Sequence, residues 1–262
     1  MRKAALILLC LLLAFVAPST AQAQDDGPAP MLVMSQFQCD WNRLGDIGQE
    51  LQLNVAIWEE MVAEGSLQSA GSFFHQWADE WNVTIYMIGD GIESLVAAND
   101  EANSRFTERH PDATAFAEAC PRHRDNFYQF GPIANSEGIA NDGNPALIIS
   151  MYECDYERIG EVFEQYAEVT IPVQDALIQE GQLRGAGTFA HVWADEWNLG
   201  FYWTSDDIPT FIEAWNESNE RVGAAVEAAG LTTNALAEAC PVHKDAIYTM
   251  GPRTGMDSEG SN

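Results

Sequence analysis

The chain has 262 residues, 40 of them acidic and 12 basic, for a formal charge of −28; 47% are hydrophobic and 10% aromatic. That much apolar material excludes global disorder, and a charge of this sign and size repels nucleic acid and anionic lipid headgroups. The acidity leaves two readings, adaptation to salty surroundings that screen self-repulsion and an acidic site for a cationic partner.

Arg2 and Lys3 precede the apolar run AALILLCLLLAFVA and small polar residues ending STAQAQ. A charged start, an apolar centre and the small-residue site Ala21-Gln22-Ala23 read as a secretory signal over residues 1–23. Cys10 follows Leu9 inside the apolar run, which argues against a lipoprotein. No later segment approaches the roughly 18 apolar residues of a membrane span. The expectation is an exported protein, periplasmic or extracellular, whose charge falls from −28 to −30 once Arg2 and Lys3 are removed.

The mature chain repeats itself. MLVMSQFQCDWNRLGDIGQEL from Met31 aligns with ALIISMYECDYERIGEVFEQY from Ala146, AGSFFHQWADEWN from Ala70 with AGTFAHVWADEWN from Ala186, and AEACPRHRDNFYQFGP from Ala117 with AEACPVHKDAIYTMGP from Ala237. The offsets are 115, 116 and 120, so two copies of similar length, residues 31–132 and 146–252, carry small insertions. Between them IANSEGIANDGNP, residues 133–145, reads as a linker, and residues 253–262 read as a disordered tail.

Within each copy the periodicity changes in one order. Residues 32–39 and 147–154 are short apolar runs ending at Cys39 and Cys154, which predicts first strands. Trp41, Leu44, Ile47, Leu51, Val55, Trp58 and Val62 then recur at helical spacing up to Gly65. Tyr156, Ile159, Val162 and Tyr166 begin the same stripe in the second copy, where Pro172 predicts a kink or split. The repeated motif and the segments WNVTIYMIGD and WNLGFYWTSD predict a hairpin. A second helix follows Asp90 and Asp206 as N-caps, with Ile92, Leu95, Val96 and Asn99 mirrored by Ile208, Phe211, Ile212 and Trp215. Each copy thus reads as strand, helix, strand, strand, helix with a C-terminal extension, an α+β class.

This order resembles the ferredoxin-like βαββα unit of the dimeric α+β barrel superfamily. There two units pack into a barrel, here both from one chain. EGSLQSAGSFFHQWADEWN is also similar to a segment of NIPSNAP-type proteins, and the whole is loosely like the antibiotic-biosynthesis monooxygenases. The resemblance implies monooxygenases, cyclases, haem enzymes and proteins of other roles, so the fold alone carries little function. Haem relatives ligate iron from a helical histidine, and the one candidate is His110, beside Pro111 and without a counterpart in the second copy. No cofactor is expected.

Alternation along the repeated strand places Phe73, His75, Trp77 and Asp79 on one face, and Phe189, His191, Trp193 and Asp195 on the matching one. Residues four apart on a strand are separated by about 13 Å, so His75 and Asp79 do not share a metal ion, nor do His191 and Asp195. A site shared by His75 and His191 across a pseudo-twofold axis stays open, as does simple core packing of each His-Trp pair. In a functional reading the two histidines act as general bases, because imidazole titrates near neutrality, and the aromatic and acidic residues of the face bind a ligand.

Cys10 leaves with the signal and four cysteines remain, allowing three pairings. Repeat symmetry in an oxidising compartment favours Cys39 with Cys120 and Cys154 with Cys240. The competing reading is a thiolate metal site from Cys39, Cys120 and His123, mirrored by Cys154, Cys240 and His243. The leading functional expectation is an exported protein holding a small apolar or aromatic molecule in its barrel cavity. The alternatives are a monooxygenase- or cyclase-type enzyme using His75 or His191, and a structural module of the cell envelope.

Overall fold

The computed structural model describes residues 30–76, 80–136, 143–193 and 196–255. The signal segment, Trp77, Asp79, Asp195, residues 137–142 of the linker and the last seven residues lie outside the described residues.

Eight antiparallel strands close a barrel. The first half contributes β1 (Met31–Gln38), β2 (Ser69–His75), β3 (Val83–Gly89) and β4 (Arg122–Ile133), with helices α1 (Leu44–Ala63), α2 (Ile92–Arg109) and the short α3 (Ala115–Ala119). The second half contributes β5 (Ala146–Glu153), β6 (Gly185–Trp193), β7 (Leu199–Ser205) and β8 (Val242–Arg253). Its helices are α4 (Ile159–Gln165), α5 (Ile171–Gln179), α6 (Ile208–Ala228) and α7 (Ala235–Ala239). Around the barrel the order is β1-β3-β2-β8-β5-β7-β6-β4. Each half therefore supplies a four-stranded sheet in the ferredoxin-like order, and the seams are β2 against β8 and β4 against β6.

The predicted C-terminal extensions turn out to be strands. β4 and β8 are each 12 residues long and pair on both sides, once within their own half and once across a seam. Their mixed polar and aromatic letters hid them, because they alternate between a buried face and solvent. β8 also runs into the segment read as tail. Arg253 ends the strand at 1% exposure, donates to the carbonyls of Gly251 and Gly143, and is followed by buried Thr254. Likewise Ile133 belongs to β4, and Ala134 of the expected linker is buried in the core of the second half.

Alternation builds three cores. One face of the strands fills the barrel with Leu32, Met34, Phe73, Leu147, Ile149 and Phe189, closed by Tyr128 and Tyr248. The other face is covered by helices in each half, with Trp58 and Met61 of α1 and Leu177 and Ile178 of α5 buried there. Both seams carry register shifts, in the interval Gly71–Phe73 on one side and at Phe127–Tyr128 on the other. Such bulges bend and twist strands, as barrel closure requires.

The glycine of the repeated motif has a direct role. A Cβ on Gly71 would lie 2.8 Å from the Tyr86 hydroxyl, and one on Gly187 would lie 2.9 Å from that of Tyr202, so a tyrosine of the neighbouring strand occupies each site. The motif position that differs, Phe74 against Ala190, reflects an exchange of volume. Phe74 lies over Gly251 and reaches toward Gly48 of α1. In the second half Gly48 is replaced by Phe163 of α4, which lies over Gly131. The same space is filled from the strand in one half and from the helix in the other.

The change of offset from 115 to 116 also has a structural counterpart. The long helix of the second half holds one more residue than α1, and the excess is taken up as a π turn over Tyr166–Thr170, between α4 and α5. Pro172 follows at the start of α5. It removes a donor without ending the helix, because the widened turn has already displaced the regular bond pattern. The predicted N-caps shift as well. Asp207 caps α6 by accepting from the Thr210 amide, which holds its carboxyl below the usual range, and Gly91 precedes α2. Asp90 and Asp206 instead receive Gln68 and Arg184.

Both disulfides join as repeat symmetry predicts, Cys39 with Cys120 and Cys154 with Cys240. They fit an oxidising compartment and remove the thiolate metal reading, since these sulfurs are bonded to each other. No described helix is long and apolar enough to cross a membrane.

Candidate functional site

The repeated motif ends in a clamp. Asn82 accepts from the Cys39 amide and donates to the Cys39 carbonyl, both at 2.9 Å. Asn198 does the same for Cys154, both at 2.8 Å. The asparagine therefore pins the disulfide end of the first strand to the start of the third. The tryptophan before it stacks on a cation of the last strand, Trp81 on Arg124 at 4.7 Å and Trp197 on Lys244 at 4.3 Å.

Those pairs flank a cavity of about 120 Å³ on the barrel axis, which Met34, Ile149, Tyr128 and Tyr248 also line. Aromatic rings of the described residues converge beside it. Phe73 packs edge-on against Tyr248 at 4.8 Å, and Phe189 packs edge-on against Tyr128 at 4.9 Å. The space left falls short of the roughly 300 Å³ at which small-molecule pockets begin. The barrel is thus a packed core rather than the ligand cavity expected of it, because four aromatic rings converge on its axis.

The two motif histidines lie on opposite seams. His75 faces Tyr248 in register across the β2–β8 seam, is 9% exposed and stands edge-on to that ring at 4.9 Å. His191 faces Tyr128 across the other seam, four strands away around the barrel, and lies beside the exposed Tyr156 ring. No group of three or more ligating side chains occurs among the described residues. Trp193 is 69% exposed on the outer surface. Trp77, Asp79 and Asp195 lie outside the described residues. His123 and His243 lie 3.5 and 3.6 Å from Asp125 and Asp245, and stack on Phe37 and Tyr152.

Space of ligand size lies outside the barrel, between sheet and helices. In the second half a pocket of about 370 Å³ has Tyr152 of β5 and Phe201 and Trp203 of β7 as its floor, and the π turn and α6 as its walls. Trp203 and Trp215 meet edge-to-face at 5.0 Å, Tyr166 approaches Phe201 at 4.9 Å, and Phe201 lies parallel to Trp203 at 6.2 Å. One polar pair reaches into this aromatic lining. The Tyr166 hydroxyl donates to Gln174 Oε1 at 2.8 Å, and burial pushes its pKa upward. Tyr152 is pushed up to about 12, first by burial and then by the charge of Asp245. The first half has a pocket of about 390 Å³ in the same layer, but with Met87 for Trp203, Asn99 for Trp215 and Leu51 for Tyr166.

Of the described residues singled out for catalysis or binding in the repeated strand, Phe73, His75, Phe189, His191 and Trp193, none lines either of these pockets. The signal that would have found them is the disagreement between copies. Where the copies agree they specify a shared scaffold, and where aromatics stand in one copy against aliphatic or polar residues in the other the pocket walls lie.

No family model matches the chain, and no curated protein matches it. Solved structures do. A candidate monooxygenase from Fusobacterium nucleatum subsp. nucleatum aligns with a TM-score of 0.62 at 11% identity, over 90% of this chain and 97% of that one. Another from Lactobacillus acidophilus NCFM gives 0.58 at 9% identity, over 86% and 97%. An anthrone oxidase-like protein gives 0.51 at 12%, over 87% and 93%. At these identities the likeness establishes the fold alone, an α+β fold with a closed eight-stranded antiparallel barrel.

Proposed function

We propose that the protein binds a small, flat, mostly apolar aromatic molecule in the second-half pocket between the sheet and helices α4 to α6. The observation that carries this reading is a lining of five aromatic side chains, Tyr152, Tyr166, Phe201, Trp203 and Trp215, around about 370 Å³, with the Tyr166–Gln174 pair and the buried Ser218 hydroxyl available for orientation. Volume and lining both suit a small-molecule site. The π turn supports the same reading, since an inserted residue held as a π bulge commonly marks a functional wall and here delivers Tyr166 to the pocket. Calorimetric titration with 2-naphthol tests it. Trp215→Asn, which installs the residue found at the matching position of the first half, weakens binding by roughly tenfold, equal to about 1.4 kcal/mol. Unchanged affinity in that variant would place the ligand elsewhere.

The neighbours described as candidate monooxygenases support an enzymatic second reading, with His75 or His191 as general base. Two readings of the chain as a whole accompany the pocket. The protein is exported, which its two disulfides support, and its halves descend from a tandem duplication, which their matching element order and offsets support.

A further inference from the structure

We infer that the first-half pocket is a second, separate site, and that it takes an organic cation, an amine carried on an apolar or aromatic body. It lies between the sheet of β1, β3 and β4 and helices α1 to α3. Its apolar wall comes from Phe37, Trp58, Phe106 and Phe116, and its charge from Glu50 and Asp125. No Lys or Arg lines it among the described residues.

The comparison with the second half isolates the feature. Gln165 stands where the first half has Glu50, and its amide is satisfied at both ends, accepting from the Ala235 amide at 2.7 Å and donating to the Thr233 carbonyl at 3.1 Å. A carboxylate has no proton to donate. Glu50 keeps one such bond, from the Phe116 amide to Oε2 at 3.2 Å, and its Oε1 has no hydrogen-bond partner among the described residues, although the residue is only 9% exposed. The second acid follows the same pattern. Asp245 receives the Ser150 hydroxyl at 2.5 Å, whereas Ser35, in register with Asp125, makes no such bond, and the described partner of Asp125 is His123 at 3.5 Å.

Both positions are thus internally satisfied in one half and left with open oxygens in the other. Glu50 is 9% exposed and the Asp125 side chain 45% exposed, and both present acceptor oxygens to one apolar-walled pocket. An ammonium group supplies the missing donors and the opposite charge, and the electron-rich faces of Trp58 and Phe106 add cation–π attraction. The net charge of −28 draws such a ligand toward the protein from solution.

The test is isothermal titration calorimetry of the full protein with 2-phenylethylamine, its neutral counterpart 2-phenylethanol and anionic phenylacetate. About 0.5 M salt shortens the screening length to about 4 Å and suppresses attraction to the surface at large. The amine binds at least about tenfold more tightly than the alcohol, and phenylacetate does not bind. Glu50→Gln, the residue the second half tolerates at this position, lowers amine affinity at least about tenfold, and Asp125→Asn lowers it as well. Trp215→Asn leaves it unchanged, which separates this site from the aromatic pocket. Equal binding of amine and alcohol, an unaltered affinity in Glu50→Gln, or no heat with amine up to about 10 mM, where even a site of ~1 mM would fill, overturns the inference.

Discussion

Asn82 and Asn198 make the same two bonds to the same kind of partner, and truncating each to alanine separates the value of a hydrogen bond from the cost of leaving its partners stranded. Asn82 is 0% exposed and Cys39 is 6% exposed, so Asn82→Ala leaves the Cys39 amide and carbonyl in a site that water does not reach. Two orphaned buried groups at ~1–3 kcal/mol each give a loss of about 2–6 kcal/mol. Asn198 is only half-buried, so after Asn198→Ala water replaces the lost partners, and the loss is the net value of two ordinary bonds, about 1–3 kcal/mol. For a chain of this length, Tm falls by about 2–4 °C per kcal/mol. Urea unfolding of the three proteins at neutral pH, with the disulfides intact, reads the difference. Equal losses, or a larger one for Asn198→Ala, would refute the argument that burial rather than bond count sets the cost.

Two further outcomes are expected. Replacing Cys39 and Cys120 together by alanine opens a loop of 81 residues and lowers stability by about 4.5 kcal/mol in the chain-entropy model, measured as a fall in the urea midpoint; a loss under about 1 kcal/mol would mean that the β1–β4 ladder already restrains the unfolded chain. Burial raises the pKa of Tyr86, Tyr152, Tyr166 and Tyr202, with Tyr152 and Tyr202 at about 12. These phenols stay neutral in the folded protein while the unfolded chain ionises near pH 10, so the unfolded state binds fewer protons. Their contribution is complete below about pH 10 and declines by about 1.4 kcal/mol per pH unit and per tyrosine as pH rises toward 12. Phenolate absorbance of the folded protein, followed with its denaturation midpoint, checks this, and normal titration of every tyrosine near pH 10 contradicts it.

The scaffold was legible in the sequence because repetition and periodicity are local signals. Strands ending at Cys39 and Cys154, the helix stripe through Leu51 and Trp58, and the disulfide pairing all follow from spacing and symmetry. β4 and β8 were not legible. Their segments, RHRDNFYQFGPI and VHKDAIYTMGPR, are long seam strands with polar outer faces, and the contacts that define them come from residues as far as 180 positions away. The pockets escaped for a different reason. Attention to the motif the copies share, with His75 and His191, led to the barrel axis, where shared residues build a filled core. The pocket walls are Trp203 against Met87, Trp215 against Asn99 and Gln165 against Glu50, positions at which the copies part. Even the motif's asparagine, read only as a residue kept in register, serves the backbone of a cysteine 43 residues away.

The exchanged volumes of Phe74 with Gly48 and Ala190 with Phe163 restrict how such a chain can change. Enlarging Ala190 while Phe163 remains would overfill the space above Gly131, and shrinking Phe163 first would leave a void, so neither single step is neutral although the finished exchange is. Two halves that settle such pairs in opposite ways are not interchangeable parts. A chimaera carrying two copies of the first-half strand, or two of the second-half helix, would meet its mismatch at the seams, and the history of the chain is in that sense irreversible one residue at a time.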